Sequence, residues 1–589
     1  MRYKEGCKEI KSFLFERGAD ALDKAIAVLS SRPVMPCELK RIKRRFAEEQ
    51  PAAVLMRLGL TRLPGVEKVL WSECEEVQEL VLKDILRKAS DTVIGRENDF
   101  EDIGSARDYA DRFPVTEYEY YKGYIDRMAE GEEDVLFPGR TEFFHVTSGS
   151  TGESKLIPES VNEKKARTLA LRSRYMHMLL RSSVKNFRRI FAFYYRPVEG
   201  VTEGGIPFGQ ASGRTVKLGR AYRLRMKFMA YTSALYDEMD DEAVDYTMMR
   251  LSIAHRDVGL MIGNNARRIV RYAELAENAA EDIIKDIRSG TNKYVLPEKI
   301  KRIERKTLRP DPERADELEK LLRDGHFSPR YYWKNMTLVS CWLGGSVGVY
   351  ARDVRRLVSE KAKFFDIGYG ASEAKINIPL NFDDPAGPLS IFTCFFEFEP
   401  AEGGKPLLAH ELEDGKTYGI LLTTYAGLYR YRIRDNVRVD GFTGNTPNIV
   451  FVSKDEDVAN MIMEKIHGDL LISAVREIVT ECGYGFSTCQ VYTDTANTRY
   501  IIYIEMDGIP SDMDAFAATV NEGLVSRIYG YRFYHTEIKT LNRCAVRLMR
   551  KGWYEHLEGQ SGRRSSSSQV KVPVVISEPP EEEWILGTE

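Results

Sequence analysis

The stretch Thr147-Ser148-Gly149-Ser150-Thr151-Gly152-Glu153-Ser154-Lys155 gathers hydroxyls, two glycines and a lysine within nine residues. Glycine permits positive φ and close backbone approach, so successive N–H groups can point into one concavity, and Lys155 adds a mobile point charge. That is chemistry for a phosphate. It is not a Walker loop, which needs G-x-x-x-x-G-K-[ST]: here Gly149 and Gly152 stand three apart, with Lys155 three further on. On composition alone a solvated turn remains the alternative.

Three other sets of residues carry chemistry. Gly368-Tyr369-Gly370-Ala371-Ser372-Glu373 offers one carboxylate, Glu373, suited to a hard cation bridging phosphate oxygens. Its G-x-G lacks the third glycine and the helix of a dinucleotide fold. In Tyr429-Arg430-Tyr431-Arg432-Ile433-Arg434-Asp435, strand period puts the three arginines on one face and Tyr429, Tyr431 and Ile433 on the other. Stacked guanidinium groups need anions opposite, supplied either by a nucleotide and a carboxylate or by glutamates of neighbouring strands. Asp435 presents two acceptor oxygens, which suit a vicinal diol. Lys571 follows a serine tract within Gln569-Val570-Lys571-Val572-Pro573, either as a surface lysine or as a mobile charge.

The elements that position these residues follow from hydrophobic period. Thr141 to Val146 reads as a strand delivering the glycine loop, and Leu171, Tyr175, Met178 and Leu179 mark a helix after it whose N-terminal end lies near the loop. Tyr331-Tyr332-Trp333 with Leu338 to Trp342 reads as a buried strand ending in a turn at Gly344-Gly345-Ser346, and Phe364 to Ile367 as a second strand that delivers Gly368. Phe396-Glu397-Phe398-Glu399-Pro400 alternates, with aromatics on one face and acids on the other. Residues 241 to 325 read as largely helical. Residues 1–90 are a helical lead-in, with Val77, Leu80, Val81 and Ile85 on one face. Beyond the polar break Ser453 to Asp457, a helix at Ile472 to Val479, strands at Gln490 to Tyr492 and Arg499 to Met506, and a helix capped by Ser511 make a small α+β unit.

The 589 residues, 43% hydrophobic and 30% charged, suit a folded protein with more than one core. A net charge of -3 gives no reason to expect nucleic acid, and the basic cluster Lys40 to Arg45 reads as the solvated face of a helix. The eight cysteines form no C-x-x-C pair and no zinc spacing, so they read as reduced, buried thiols. No apolar run approaches the roughly 20 residues of a membrane span, and the N-terminus lacks a signal-peptide apolar region. The expectation is a cytoplasmic protein with no membrane partner.

T-S-G-S-T-G-x-x-K resembles the phosphate loop of the adenylate-forming superfamily of acyl-CoA synthetases, peptide-synthetase adenylation domains and luciferase. With G-R, F-P-V, I-D-R and V-L-x-P-G before it, and Y-G-A-S-E, F-E-F-x-P and G-L-Y-R-Y-R after it, the text resembles the Gretchen Hagen, auxin-responsive family of acyl acid amido synthetases, in a bacterial type, from about residue 70 to residue 575. The resemblance implies an α/β fold: a large N-terminal adenylate-forming domain of mixed sheets and helices, residues 1–452, and a small mobile α+β domain, residues 453–589, with an acidic tail. It implies ATP and Mg2+ as cofactors. The reaction would adenylate a small-molecule carboxylic acid to an acyl-AMP and transfer the acyl group to an amine, in particular that of an amino acid; the rivals are transfer to a thiol and a silent nucleotide-binding relative. By resemblance, Thr147, Ser148, Gly149, Ser150, Thr151 and Gly152 hold phosphate, and Tyr369, Gly370, Ala371 and Ser372 hold the adenine side. Arg432 and Asp435 complete the nucleotide site, Asp435 at the ribose; Glu373 holds the metal, and Lys155 and Lys571 are catalytic. Arg434 stands where the family has glycine, so a position needing positive φ would strain it.

Overall fold

The computed structural model describes residues 63–148, 154–182, 189–193, 198–209, 228–348, 350–454, 457–459, 461, 464, 466–537, 539–560 and 572–586. The chain divides into two compact units, one of residues 1–343, 350–433 and 438–450 and the other of residues 344–349, 434–437 and 451–589.

In the larger unit, β1 (Phe143–Ser148) and β2 (Ser154–Glu159) form an antiparallel hairpin. A parallel sheet runs in the order β3 (Arg189–Ala192), β6 (Val258–Ile262), β7 (Leu338–Cys341) and β8 (Lys363–Asp366). The short strands β4 (Gly200–Val201) and β5 (Pro207–Gly209) extend the hairpin into a four-stranded sheet. Every residue of β6 and β7 is buried, as expected of parallel strands covered on both faces.

One sequence expectation holds with an addition here, and another fails. Residues 241–325 do hold helices at Asp241–Ile253, Ala266–Asn278, Ala280–Ser289, Glu298–Ile303 and Pro312–Arg323. They also hold β6, whose run Val-Gly-Leu-Met-Ile has no alternation because both its faces are core. Tyr331 and Tyr332 lie in the helical turn Pro329–Tyr332 rather than in a strand: Pro329 opens that turn, where its missing N–H costs nothing.

A third sheet runs in the order β11 (Leu407–Leu408), β10 (Phe395–Pro400), β12 (Thr417–Thr423), β13 (Tyr431–Thr443), β14 (Thr446–Lys454) and β9 (Gly387–Pro388). Burial along β13 alternates, with Tyr431, Ile433, Asp435, Val437 and Val439 inward and Arg434, Arg438 and Asp440 outward. Helix Cys74–Ala89 buries Val77, Val81 and Ile85, with Glu75 and Glu76 in its first turn and Arg87 and Lys88 in its last, as the helix dipole favours.

In the smaller unit, the antiparallel pair β15 (Phe486–Asp494) and β16 (Arg499–Met506) is flanked by β18 (Val575–Ile576) and β17 (Ala545–Leu548). Helices Gly468–Glu481 and Met513–Arg527 give Leu471, Val475, Val479, Val520 and Leu524 to its core. Asp512, not Ser511, caps the second helix, its carboxylate accepting from Ala515 N at 2.9 Å. Gly345 to Gly348, expected as a turn, is one helical turn. No helix among the described residues is long and apolar enough to cross a membrane.

Candidate functional site

The glycine loop is the tip of the β1–β2 hairpin. Thr147 pairs with Lys155 and Ser148 with Ser154, which makes the tip Gly149 to Glu153. Gly149, Ser150, Thr151 and Gly152 lie outside the described residues. Lys155 pairs with no carboxylate among the described residues; its ammonium lies 5.3 Å from the centroid of the Tyr118 ring. The Tyr118 hydroxyl in turn accepts from Leu156 N at 3.0 Å, so ring and strand are fixed together. The following helix, Val161–Arg181, does not open on the loop as expected. Six residues of β2 intervene, about 20 Å of extended chain. Strand pairing reaches Ser148 and Ser154, and the N-terminus of this helix lies at the far end of β2.

The Gly368–Glu373 segment leaves the carboxyl end of β8. Asp366 starts it: its carboxylate accepts from Leu343 N and Gly368 N, each at 2.6 Å, and burial pushes its pKa up to about 7. The segment then folds back on itself. Ala371 N donates to Ala374 O at 2.9 Å, Gly370 bridges Lys375, and Ile376 N donates to Tyr369 O at 3.0 Å, leaving Ser372 and Glu373 at the tip of a tight turn. A side chain at Gly370 would meet Lys375 Cδ at 2.9 Å and Ala374 O at 3.1 Å, so the turn packs closely over this glycine. Tyr369 is buried and Glu373 is half-buried.

Helix Val161–Arg181 backs this turn with charges that the sequence reading did not single out. Glu163 and Arg167, both buried, pair at 2.9 Å between Oε1 and Nε, and an Arg167 Nη2 donates to Ser372 O. Burial pushes the Glu163 carboxyl up to about 7, against the pull of Arg167. Lys375, over Gly370, is pushed down to about 7 by burial and then by Arg167 and Arg174. His145 on β1 is held near 4 by burial, so it is neutral and its Nε2–H donates to Glu159 at 3.1 Å. The available signal was the i, i+4 spacing of Glu163 and Arg167 on the same helix as Leu171.

The arginines part company. Arg430 precedes β13 at φ 47 and is 4% exposed, its guanidinium forked on Glu397 (Nε to Oε2 2.9 Å, Nη2 to Oε1 2.9 Å) and on the carbonyls of Ala110 and Phe113. Arg430 is thus buried, whereas Arg432 is half-buried. Arg432 is forked on Glu399 (Nε to Oε2 2.7 Å) and reaches Glu117 at 3.3 Å. The acids of β10 serve these arginines rather than solvent: Glu397 is buried, and burial raises its pKa although Arg430 opposes the shift. Arg434 has φ 56, the left-handed backbone that glycine would adopt without strain. Asp435 is 3% exposed and points inward with Ile433 and Val437. Lys571 lies outside the described residues.

A metal fits this arrangement in one way only. Among the described residues no three His, Cys, Asp or Glu side chains converge as a cage. Mg2+ needs none, since it is commonly held by one carboxylate together with substrate phosphates and water. Glu373, half-buried at the tip of its turn, suits that role.

Residues 67–362 match the GH3 family N-terminal domain, residues 388–454 the GH3 central domain and residues 470–580 the GH3 C-terminal domain. The chain belongs to the GH3 family. It is similar to the indole-3-acetic acid-amido synthetase GH3.4 of Arabidopsis thaliana, with 26% identity over 85% of this chain and 89% of that protein. It is also similar to the jasmonoyl-L-amino acid synthetase JAR6 of Nicotiana attenuata, with 23% identity over 86% and 91%. The structure of the GH3.15 acyl acid amido synthetase shares its fold, with a TM-score of 0.76 at 20% identity over 89% of this chain and 96% of that one. The Thr147–Lys155 hairpin and the Tyr369–Glu373 turn lie in the GH3 N-terminal and linking segments, and the arginine strand in the GH3 central domain.

Proposed function

We propose that this GH3 protein uses ATP to adenylate a small-molecule carboxylic acid and then passes the acyl group to the amine of an amino acid, forming an amide. The observation that carries this reading is Lys155, a cation beside the phosphate loop that rests on an aromatic ring and has no carboxylate partner among the described residues. Family membership supplies the reaction class.

In the first half-reaction the acid's carboxylate oxygen attacks the α-phosphorus, a P–O bond forms and pyrophosphate leaves with its electron pair. The hairpin-tip amides and Lys155 would hold the phosphate charge as it redistributes, which counts mostly in the transition state. Glu373 would ligate Mg2+, which when bound offsets phosphate charge. Tyr369 to Ser372 would flank the adenine, and Asp435 would accept from the ribose hydroxyls. Arg432 enters only by breaking a pairing with Glu399, and we place it at the rim of the nucleotide site. In the second half-reaction a neutral amine attacks the acyl carbon, the C–N bond forms and AMP leaves. The domain from residue 453 onward would bring Lys571 to the α-phosphate for the first step and withdraw it for the second.

Pyrophosphate release measured across a panel of acids, with amino acids or coenzyme A as acceptors, tests the reading. Acid-dependent release with an amide product upholds it. Acyl-CoA as the product replaces the acceptor, and ATP binding without release from any acid marks a silent relative.

A further inference from the structure

Helix Val161–Arg181 and its N-cap hold two motif segments through hydrogen bonds and follow the third directly in the chain. Its N-cap Ser160 donates Oγ–H to Tyr425 O at 2.7 Å, at the start of the Tyr425–Asp435 text. Arg167 donates to Ser372 O, and Arg174 donates Nη1–H to Ile367 O at 2.8 Å, where the Gly368–Glu373 segment begins. The strand immediately before the helix carries Lys155.

Arg167 is the member with the least other reason to be there. It is 7% exposed, and a buried guanidinium is costly unless its charge and its donors are matched. Glu163, 2% exposed and one turn earlier, matches the charge. With its charge met, one Nη2–H of the guanidinium is spent on a peptide oxygen. That oxygen belongs to the plane joining Ser372 to Glu373, so holding it fixes the orientation of the Glu373 N–Cα bond. The bond from Ala371 N to Ala374 O closes the turn from the other side but leaves the tip peptide free to rotate.

We propose that Arg167 is a positioning residue for Glu373: it holds the Ser372–Glu373 peptide so that the carboxylate meets the cation on the nucleotide phosphates. This rests on the adenylation reading and on Glu373 as metal ligand. A partner that orients a metal ligand typically changes metal affinity by about 10–100-fold when removed.

The test titrates ATP calorimetrically into the full-length chain, with and without Mg2+, for the natural protein and for Arg167→Met, Arg167→Lys and Glu373→Gln. Arg167→Met should weaken the Mg2+-dependent part of ATP binding by about tenfold and leave metal-free ATP binding unchanged. The Mg2+ concentration for half-maximal pyrophosphate release should rise in parallel. Arg167→Met combined with Glu373→Gln should be no worse than Glu373→Gln alone. Equal losses with and without metal, or additive losses in the double variant, overturn the proposal. If Arg167→Met does not fold, Arg167→Lys, which keeps the charge beside Glu163 but loses the fork, is judged by the same criteria. If Glu373→Gln leaves the Mg2+ dependence unchanged, the metal assignment falls and takes this proposal with it. If the natural protein releases no pyrophosphate while Arg167→Met still weakens Mg2+-dependent binding, the reaction class alone is wrong.

Discussion

The turn at Tyr369–Glu373 and the arginine strand at Tyr429–Asp435 use the same bonds to opposite ends. In the turn, the protein holds backbone: Arg167 takes a carbonyl, Asp366 takes two N–H groups, and Glu373 stays half-exposed. In the strand, the protein holds side chains: Glu397 takes Arg430, and Glu399 with Glu117 takes Arg432. In the turn the backbone around the charge is fixed, which on the proposed function sets where Glu373 is presented. A charge whose side chain is matched is structure.

The comparison breaks first at Arg430. Arg430→Met leaves Glu397 buried and alone, which should cost about 3–5 kcal/mol in denaturant unfolding. A loss under about 1 kcal/mol would place Arg430 among exposed pairs and erase the distinction. Lys155→Ala should do the reverse, lowering kcat by roughly 10²–10³-fold while unfolding stability falls by no more than the ~0.5–2 kcal/mol of its ring contact, because its charge serves mostly the transition state. An unchanged kcat would remove the hairpin from catalysis. Asp435→Asn should raise KM for ATP about tenfold, with KM for the acid unchanged, since a contact to a charged acceptor is worth ~1.5–3 kcal/mol. Equal losses for both substrates would make Asp435 part of the structural set. The smallest effect should be a gain: Arg434→Gly relieves a left-handed non-glycine residue, raising stability by about 1 kcal/mol in thermal unfolding, whereas a loss would mean the exposed arginine contributes more than its backbone costs.

How legible these regions were in the sequence follows the same division. The turn could be read because glycine, tyrosine and glutamate stand in one short stretch after an apolar strand, so chemistry and position are local. The strand could be read as a strand, and the pairing of arginines with neighbouring glutamates was one of the two readings left open. That Arg430 is buried while Arg432 is only half-buried was hidden, because both reach the acids on one face of β10 and only depth separates them. β6 was missed because a strand buried on both faces has no alternation to show. Glu163 and Arg167 were missed because charge on a helix ordinarily marks the solvated side. Only the carbonyl of Ser372, 205 residues away, explains why Arg167 faces inward.

On the proposed function, the resting place of Lys155 is what an incoming phosphate would displace. An ammonium on an aromatic face gains about 0.5–2 kcal/mol, held by a quadrupole and not by an opposite charge. Had Tyr118 been a glutamate, the chain would carry its own tethered inhibitor, an internal anion competing with every phosphate that arrived. With a neutral ring instead, the half-buried lysine is kept in place with no anion of the chain's own bound to it among the described residues.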